Sequence, residues 1–241
     1  MTAAVLFLAS ILAGAIASLA GFGIGSVLTP LLALSVGTKE AVIAVSIPHL
    51  VATGLRFWNL RHNIDVPVLK NFGIASAAGG LLGALLGARF SSPILAYILG
   101  ALLVFAGLTG LTGISQKMRF GRKAAWLGGA VSGLLGGLVG NQGGIRSAAL
   151  LGFNLEAKAF VATATAIALI VDGTRMPVYF LTSPETVHRL GLWIAVMVAG
   201  ATIGTLVGAR VLSRIPEAYF RRLVSLLILT LGIVMLGHIA K

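Results

Sequence analysis

Gly140-Asn141-Gln142-Gly143-Gly144-Ile145-Arg146 places two amides, three glycines and a cation between apolar runs that otherwise suit lipid. Its counterpart earlier in the chain is Gly21-Phe22-Gly23-Ile24-Gly25, followed by Ser26, Thr29 and Pro30. A bilayer interior tolerates a broken helix only where protein or a water-filled cavity satisfies the freed backbone groups. Two such breaks at matching places in two halves point to a transport site near mid-membrane.

The rest of the composition agrees with a membrane setting. Apolar residues make up 58% of the 241 positions and charged residues 10%, against roughly a quarter charged in soluble domains. Net charge is +12, but the cations cluster at the ends of apolar runs without aromatic interleaving. They therefore read as topology signals and not as a nucleic-acid surface. With no cysteine, disulfides, thiolate metal sites and thiol catalysis are excluded. The run from Ala3 to Ala20 has a signal-peptide-like core but no preceding Lys or Arg, and is read as a first span that is retained.

Ten apolar runs follow one another, near 3–20, 26–36, 41–60, 66–88, 93–114, 124–139, 143–153, 157–181, 190–209 and 218–239. The second and seventh are short, and each directly follows a glycine break. The expected architecture is an all-α integral membrane protein of about ten membrane helices, arranged as two inverted five-element repeats. Residues 1–115 form the first repeat, 116–123 a cytoplasmic hinge and 124–241 the second, within one membrane domain.

The repeat rests on three matches in order. Gly21 and Gly25 align with Gly140 and Gly144 at an offset of 119 (140 − 21), and Gly54-Leu55-Arg56 aligns with Gly173-Thr174-Arg175 at the same offset. Gly79, Gly83, Gly87, Ala88 and Arg89 align with Gly200, Gly204, Gly208, Ala209 and Arg210 at 121 (200 − 79). These last glycines repeat on one helical face and are read as close-packing surfaces. Inversion follows from charge. The hinge carries Lys117, Arg119, Arg122 and Lys123, so the positive-inside rule makes it cytoplasmic. The loop between the third and fourth runs holds Arg61 and Lys70, whereas the next holds only Arg89. In the second half the bias reverses toward Arg210, Arg214, Arg221 and Arg222. Corresponding loops thus face opposite sides, five crossings per half produce that inversion, and both termini fall outside.

A helix that starts inside the membrane exposes its first four N–H groups and the positive end of its dipole. Two such ends converging make an anion cradle. Glycine lets an oxyanion approach the backbone closely, and amide side chains add donors. The residues assigned to substrate are Gly21, Phe22, Gly23, Gly25 and Ser26, with Gly140, Asn141, Gln142, Gly143, Gly144 and Arg146. The alternative is that the glycines serve only tight helix crossing. Arg146 is the best candidate for direct anion contact, and its competing role is an ion pair with Asp172. Arg175, three residues after Asp172, could neutralise that acid instead. Arg56 is expected to snorkel to the cytoplasmic interface. His49, after Pro48, and Asp172 are the candidates for proton coupling; a histidine bonded to a backbone carbonyl is the ordinary alternative. His62, His188 and His238 fall near helix ends. No metal-ligand spacing, nucleophile–base pair, P-loop or dinucleotide fingerprint is present, so neither enzyme activity nor a metal or cofactor is expected.

With its two glycine-rich motifs, the chain resembles the TauE/SafE sulfite exporter family (toluene sulfonate uptake permease-like transporters). Gly21-Phe22-Gly23-Ile24-Gly25 with Pro30 matches the first family motif. Gly137-Leu138-Val139-Gly140 and Gly143-Gly144 match the second in part. Asn141 and Gln142 interrupt the second glycine run, Arg146 follows it, and Ala149 stands where the first half has Pro30. The resemblance implies export of sulfite, or of a related sulfur-containing or organic anion, across a prokaryotic cytoplasmic membrane. The expectation is therefore an alternating-access secondary transporter for a small anion. A passive anion channel using the same donors is the alternative. Partners are the anion and the lipid bilayer, with no nucleic acid, and a homodimer is compatible with the sequence.

Overall fold

The computed structural model describes residues 2–114, 122–150, 153, 155–212 and 216–239. Helix α1 (Ala3–Ala20) starts on Thr2, whose side chain accepts from Val5 N at 3.4 Å, and stops at Gly21. There φ is 75°, a left-handed turn that glycine adopts without steric cost. Helix α2 (Ile24–Val36) follows directly, then Gly37 turns the chain into α3 (Thr38–Leu60) and a short 3₁₀ turn, Arg61–Asn63. Asp65 caps α4 (Val66–Arg89) by accepting from Val68 N at 2.9 Å. Pro93 in the first turn of α5 (Ser92–Thr112) costs nothing, because that N–H would be unpaired anyway.

In the second half, α6 (Arg122–Val139) ends at Gly140, again left-handed at φ 70°. Then come α7 (Gly143–Leu150), α8 (Ala157–Thr182), α9 (Pro184–Arg189), α10 (Gly191–Leu212) and α11 (Glu217–Ile239). The breaks and element bounds lie within a few residues of the expected ones. The six-residue α9 is additional; its signal was Pro184 in the first turn. Of the hinge 116–123, only residues 122–123 are described. Lys117, Arg119, Arg214 and Lys241 lie outside the described residues.

Among the described residues, seven helices (α1, α3, α4, α5, α8, α10 and α11) are long and apolar enough to cross a membrane. The other three expected elements, α2, α6 and α7, are shorter or less continuously apolar. At 1.5 Å per residue, the 8-residue α7 reaches about 12 Å, less than half of a ~30 Å hydrocarbon core. Leu8, Leu181 and Leu192 are among many large apolar side chains exposed on the outside of the bundle. That is the distribution a lipid-facing surface requires.

Helix pairs are built on the glycine faces. Helix α4 lies along α6, where a Cβ on Gly83 would sit 2.0 Å from Leu134 O and one on Gly79 2.2 Å from Ala130 O. Helix α10 lies along α1 in the same manner, with a Cβ on Gly204 2.0 Å from Ile11 O. Only hydrogen at those positions permits backbone-to-backbone contact, which supplies the packing that lipid cannot drive hydrophobically. Helix α5 pairs with α11. Helices α3 and α8 pack on each other in the middle and carry His49, Arg56, Asp172 and Arg175, whereas the buried Arg146 lies on α7.

Candidate functional site

The two breaks touch. A Cβ on Gly25 would lie 2.2 Å from Gly140 O, and one on Gly143 would lie 2.2 Å from Cβ of Phe22. The first turn of α2 therefore rests on the break after α6, and Phe22 rests on the first turn of α7. Both approaches require glycine. The first N–H groups of each helix have no partner four residues back, so both positive helix ends fall in one region.

Side chains then line a common space. Ser26 Oγ donates to Asn141 Oδ1 at 3.1 Å, which orients the Asn141 amide and leaves its Nδ2 without a protein partner. Gln142 is held by its backbone: its carbonyl accepts from Ser132 Oγ at 3.2 Å and from Arg146 N at 3.0 Å. Both polar atoms of its side chain are buried and unpartnered. Arg146, 1% exposed, donates from one terminal nitrogen to Gly21 O at 3.1 Å, tying the two breaks together across 125 positions. Its Nε and other terminal nitrogen have no partner, and among the described residues no carboxylate pairs with it. Phe22, Gly23, Gly25, Ser26, His49, Gly140, Asn141, Gln142, Gly143 and Arg146 surround a cavity of about 10 Å³, room for about one water.

Two assigned residues are not on the cavity wall. Gly21 contributes its carbonyl to Arg146, and Gly144 faces α5, where a Cβ would meet Ala106 Cβ at 3.5 Å. Thr29, by contrast, buries an unpartnered hydroxyl near Gly140.

Behind the cavity, His49 Nδ1 stands 2.7 Å from Asp172 Oδ2, and Arg175 donates to Asp172 Oδ1 through Nε at 3.0 Å. Asp172 is fully buried, so a doubly bonded carboxylate satisfies the rule that buried charge be paired. His49 thus bonds a carboxylate rather than a backbone carbonyl, and Arg146 is not the partner of Asp172. Arg175 continues to Gly136 O at 2.6 Å, and Tyr179 donates its hydroxyl to Gly137 O.

The expectation for Arg56 is corrected. It does not snorkel: it is 4% exposed and turns inward, donating to Ala17 O and, at 3.3 Å, to Thr53 Oγ1. The Ala17 carbonyl already accepts from Gly21 N at 3.0 Å, and its second lone pair is free for the guanidinium. That acceptor lies on another helix, so the local sequence could not reveal it.

Chemically, such an arrangement can accept an anion. Its buried, unpartnered groups include amide and guanidinium donors, and Asp172 is already neutralised by Arg175, leaving Arg146 as surplus positive charge. No curated protein and no solved structure matches the chain. A family model described as "Sulfite exporter TauE/SafE" matches residues 6–235. Such a match spans both breaks and all of the buried charged residues. The chain accordingly belongs to the TauE/SafE sulfite exporter family, multi-pass membrane proteins that transport sulfur anions.

Proposed function

We propose that this protein is a secondary transporter that exports sulfite, or a related sulfur oxyanion or organosulfonate, by alternating access at the cavity between the two breaks. The observation that carries this reading is Arg146. It is a buried cation with two unpartnered nitrogens and, among the described residues, no acid, beside the free amide donors of Asn141 and Gln142. Leaving such groups unsatisfied costs about 1–3 kcal/mol each, more when charged. An anion that desolvates into the cavity repays that cost.

Helix pairing supports two inverted halves, 1–115 and 124–241, joined by a cytoplasmic hinge at 116–123. Exchanging each element for its repeat partner turns the α4–α6 pair into α10–α1, and leaves α5–α11 and α3–α8 as partners of themselves. That is the contact pattern of a two-fold relation. A cavity of about 10 Å³ must enlarge before an oxyanion fits, which favours a carrier over a passive channel. In a prokaryotic cytoplasmic membrane, a potential negative inside drives anions outward with about 2.3 kcal/mol per charge per 100 mV.

The test is radiolabelled sulfite flux into and out of proteoliposomes, comparing the native chain with Arg146→Ala. Saturable flux that the substitution abolishes is the expected result. Normal flux in the variant removes Arg146 from the site, non-saturating currents favour a channel, and absence of any sulfur oxyanion flux overturns the reading.

A further inference from the structure

The buried arginines of α3 and α8 make the same contact twice. Arg56 and Arg175 are 119 positions apart (175 − 56), as are their acceptors Ala17 and Gly136 (136 − 17) and the side chains that steady them, Thr53 and Asp172 (172 − 53). In each half the acceptor carbonyl lies four residues before the left-handed glycine that ends the first helix. It also receives that glycine's N–H, at 3.0 Å for Gly21 and 3.1 Å for Gly140. A carbonyl has two lone pairs, and here the capping amide and the guanidinium take one each. The steadying bonds match as well: Thr53 Oγ1 accepts at 3.3 Å and Asp172 Oδ1 at 3.0 Å, each from the arginine three residues later.

A helix broken inside a membrane exposes a negative carbonyl end as well as a positive amide end. In transporters built this way, carbonyl ends serve as sites for a coupling cation such as Na⁺. We infer that Arg56 and Arg175 are positioning residues that occupy those carbonyl ends as fixed, built-in cations. They cancel the negative half of each break, leave the positive ends of α2 and α7 to act on the cavity unopposed, and remove the need for an external coupling cation. The two are not identical. Thr53 is neutral, whereas Asp172 also bonds His49 on the cavity wall, so only the second brace is linked to the site. The consequence for transport rests on the function proposed above; the effect on the breaks does not.

The experiment separates them. Because the chain has no cysteine, Ser26→Cys with Asn141→Cys yields a single available disulfide, between residues whose side chains now meet at 3.1 Å. Its rate of formation in purified protein reports how the breaks face each other. Arg56→Lys and Arg175→Lys, which keep the cation, should leave that rate within about threefold. Arg56→Gln and Arg175→Gln, which keep a donor but lose the charge, should slow it at least tenfold. Equal rates for Lys and Gln, or a Lys variant that aggregates or slows as much as Gln, overturn the built-in cation. In proteoliposomes, native sulfite flux should change less than twofold when Na⁺ is replaced by N-methylglucamine; flux that requires Na⁺ overturns it too. If the native protein moves no anion while the disulfide rates behave as expected, the transport reading fails and the braces stand.

Discussion

Replacing Arg146 by Met removes a cation from the membrane interior while keeping most of its volume. Two terms oppose each other. A charge placed at mid-membrane costs about 2.5–3.5 kcal/mol, and deleting it recovers that. The bond to Gly21 O is lost, and hydrogen bonds from charged groups contribute about 1.5–3 kcal/mol. The sum is near zero, so stability without ligand should change by at most about 1–2 kcal/mol, or about 2–8 °C in Tm. Arg175→Met provides the contrast, because it strips the Asp172 carboxylate of its bonded guanidinium. Breaking a buried pair costs about 3–5 kcal/mol, or roughly 6–20 °C. Ligand effects separate the two readings of Arg146 further. Sulfite at about 100 times its Kd should stabilise the native protein by about 2.7 kcal/mol. Losing even one charge-assisted contact weakens binding tenfold or more and should cut that gain to about half or less in Arg146→Met. Thermal unfolding of purified protein with and without sulfite is the assay. An Arg146→Met variant as destabilised as Arg175→Met, or one with undiminished sulfite stabilisation, would falsify the assignment of Arg146 to the anion.

Other expectations rest on single positions. Gly83→Ala and Gly204→Ala put a Cβ about 2 Å from a backbone carbonyl oxygen of the neighbouring helix and should each cost about 1–3 kcal/mol or more by thermal unfolding. Gly54→Ala and Gly173→Ala meet nothing within 4 Å and should be neutral or gain up to about 1 kcal/mol from helix propensity; the reverse ranking would contradict the packing. At the first break, a Cβ from Gly21→Ala meets only Val161 Cγ1 at 3.9 Å, an ordinary contact, but φ is 75°, so only the left-handed penalty of about 1–2 kcal/mol applies. Gly23→Ala adds a 2.7 Å approach to Ile16 Cγ2 at φ 141°, and should unfold at a lower temperature than Gly21→Ala. A cysteine in place of Lys241 should react with a membrane-impermeant maleimide in intact cells; labelling only after permeabilisation would invert the topology.

Sequence alone determined where the chain breaks, because φ > 0 and backbone contact select glycine whatever surrounds it. Gly21 and Gly140 announce both helix ends, and the four-residue glycine spacing announces close-packing faces on α4 and α10. Asp172 and Arg175 were legible as a pair for the same reason: three residues on one helix fix their separation locally. What only the tertiary structure decided are the contacts made between helices. His49 meets Asp172 across 123 positions, Arg56 turns to Ala17 instead of the interface, and Arg146 is left without an acid. Each depends on how one helix is rotated and shifted against another, and a long side chain with several acceptors in reach takes its partner from that rotation.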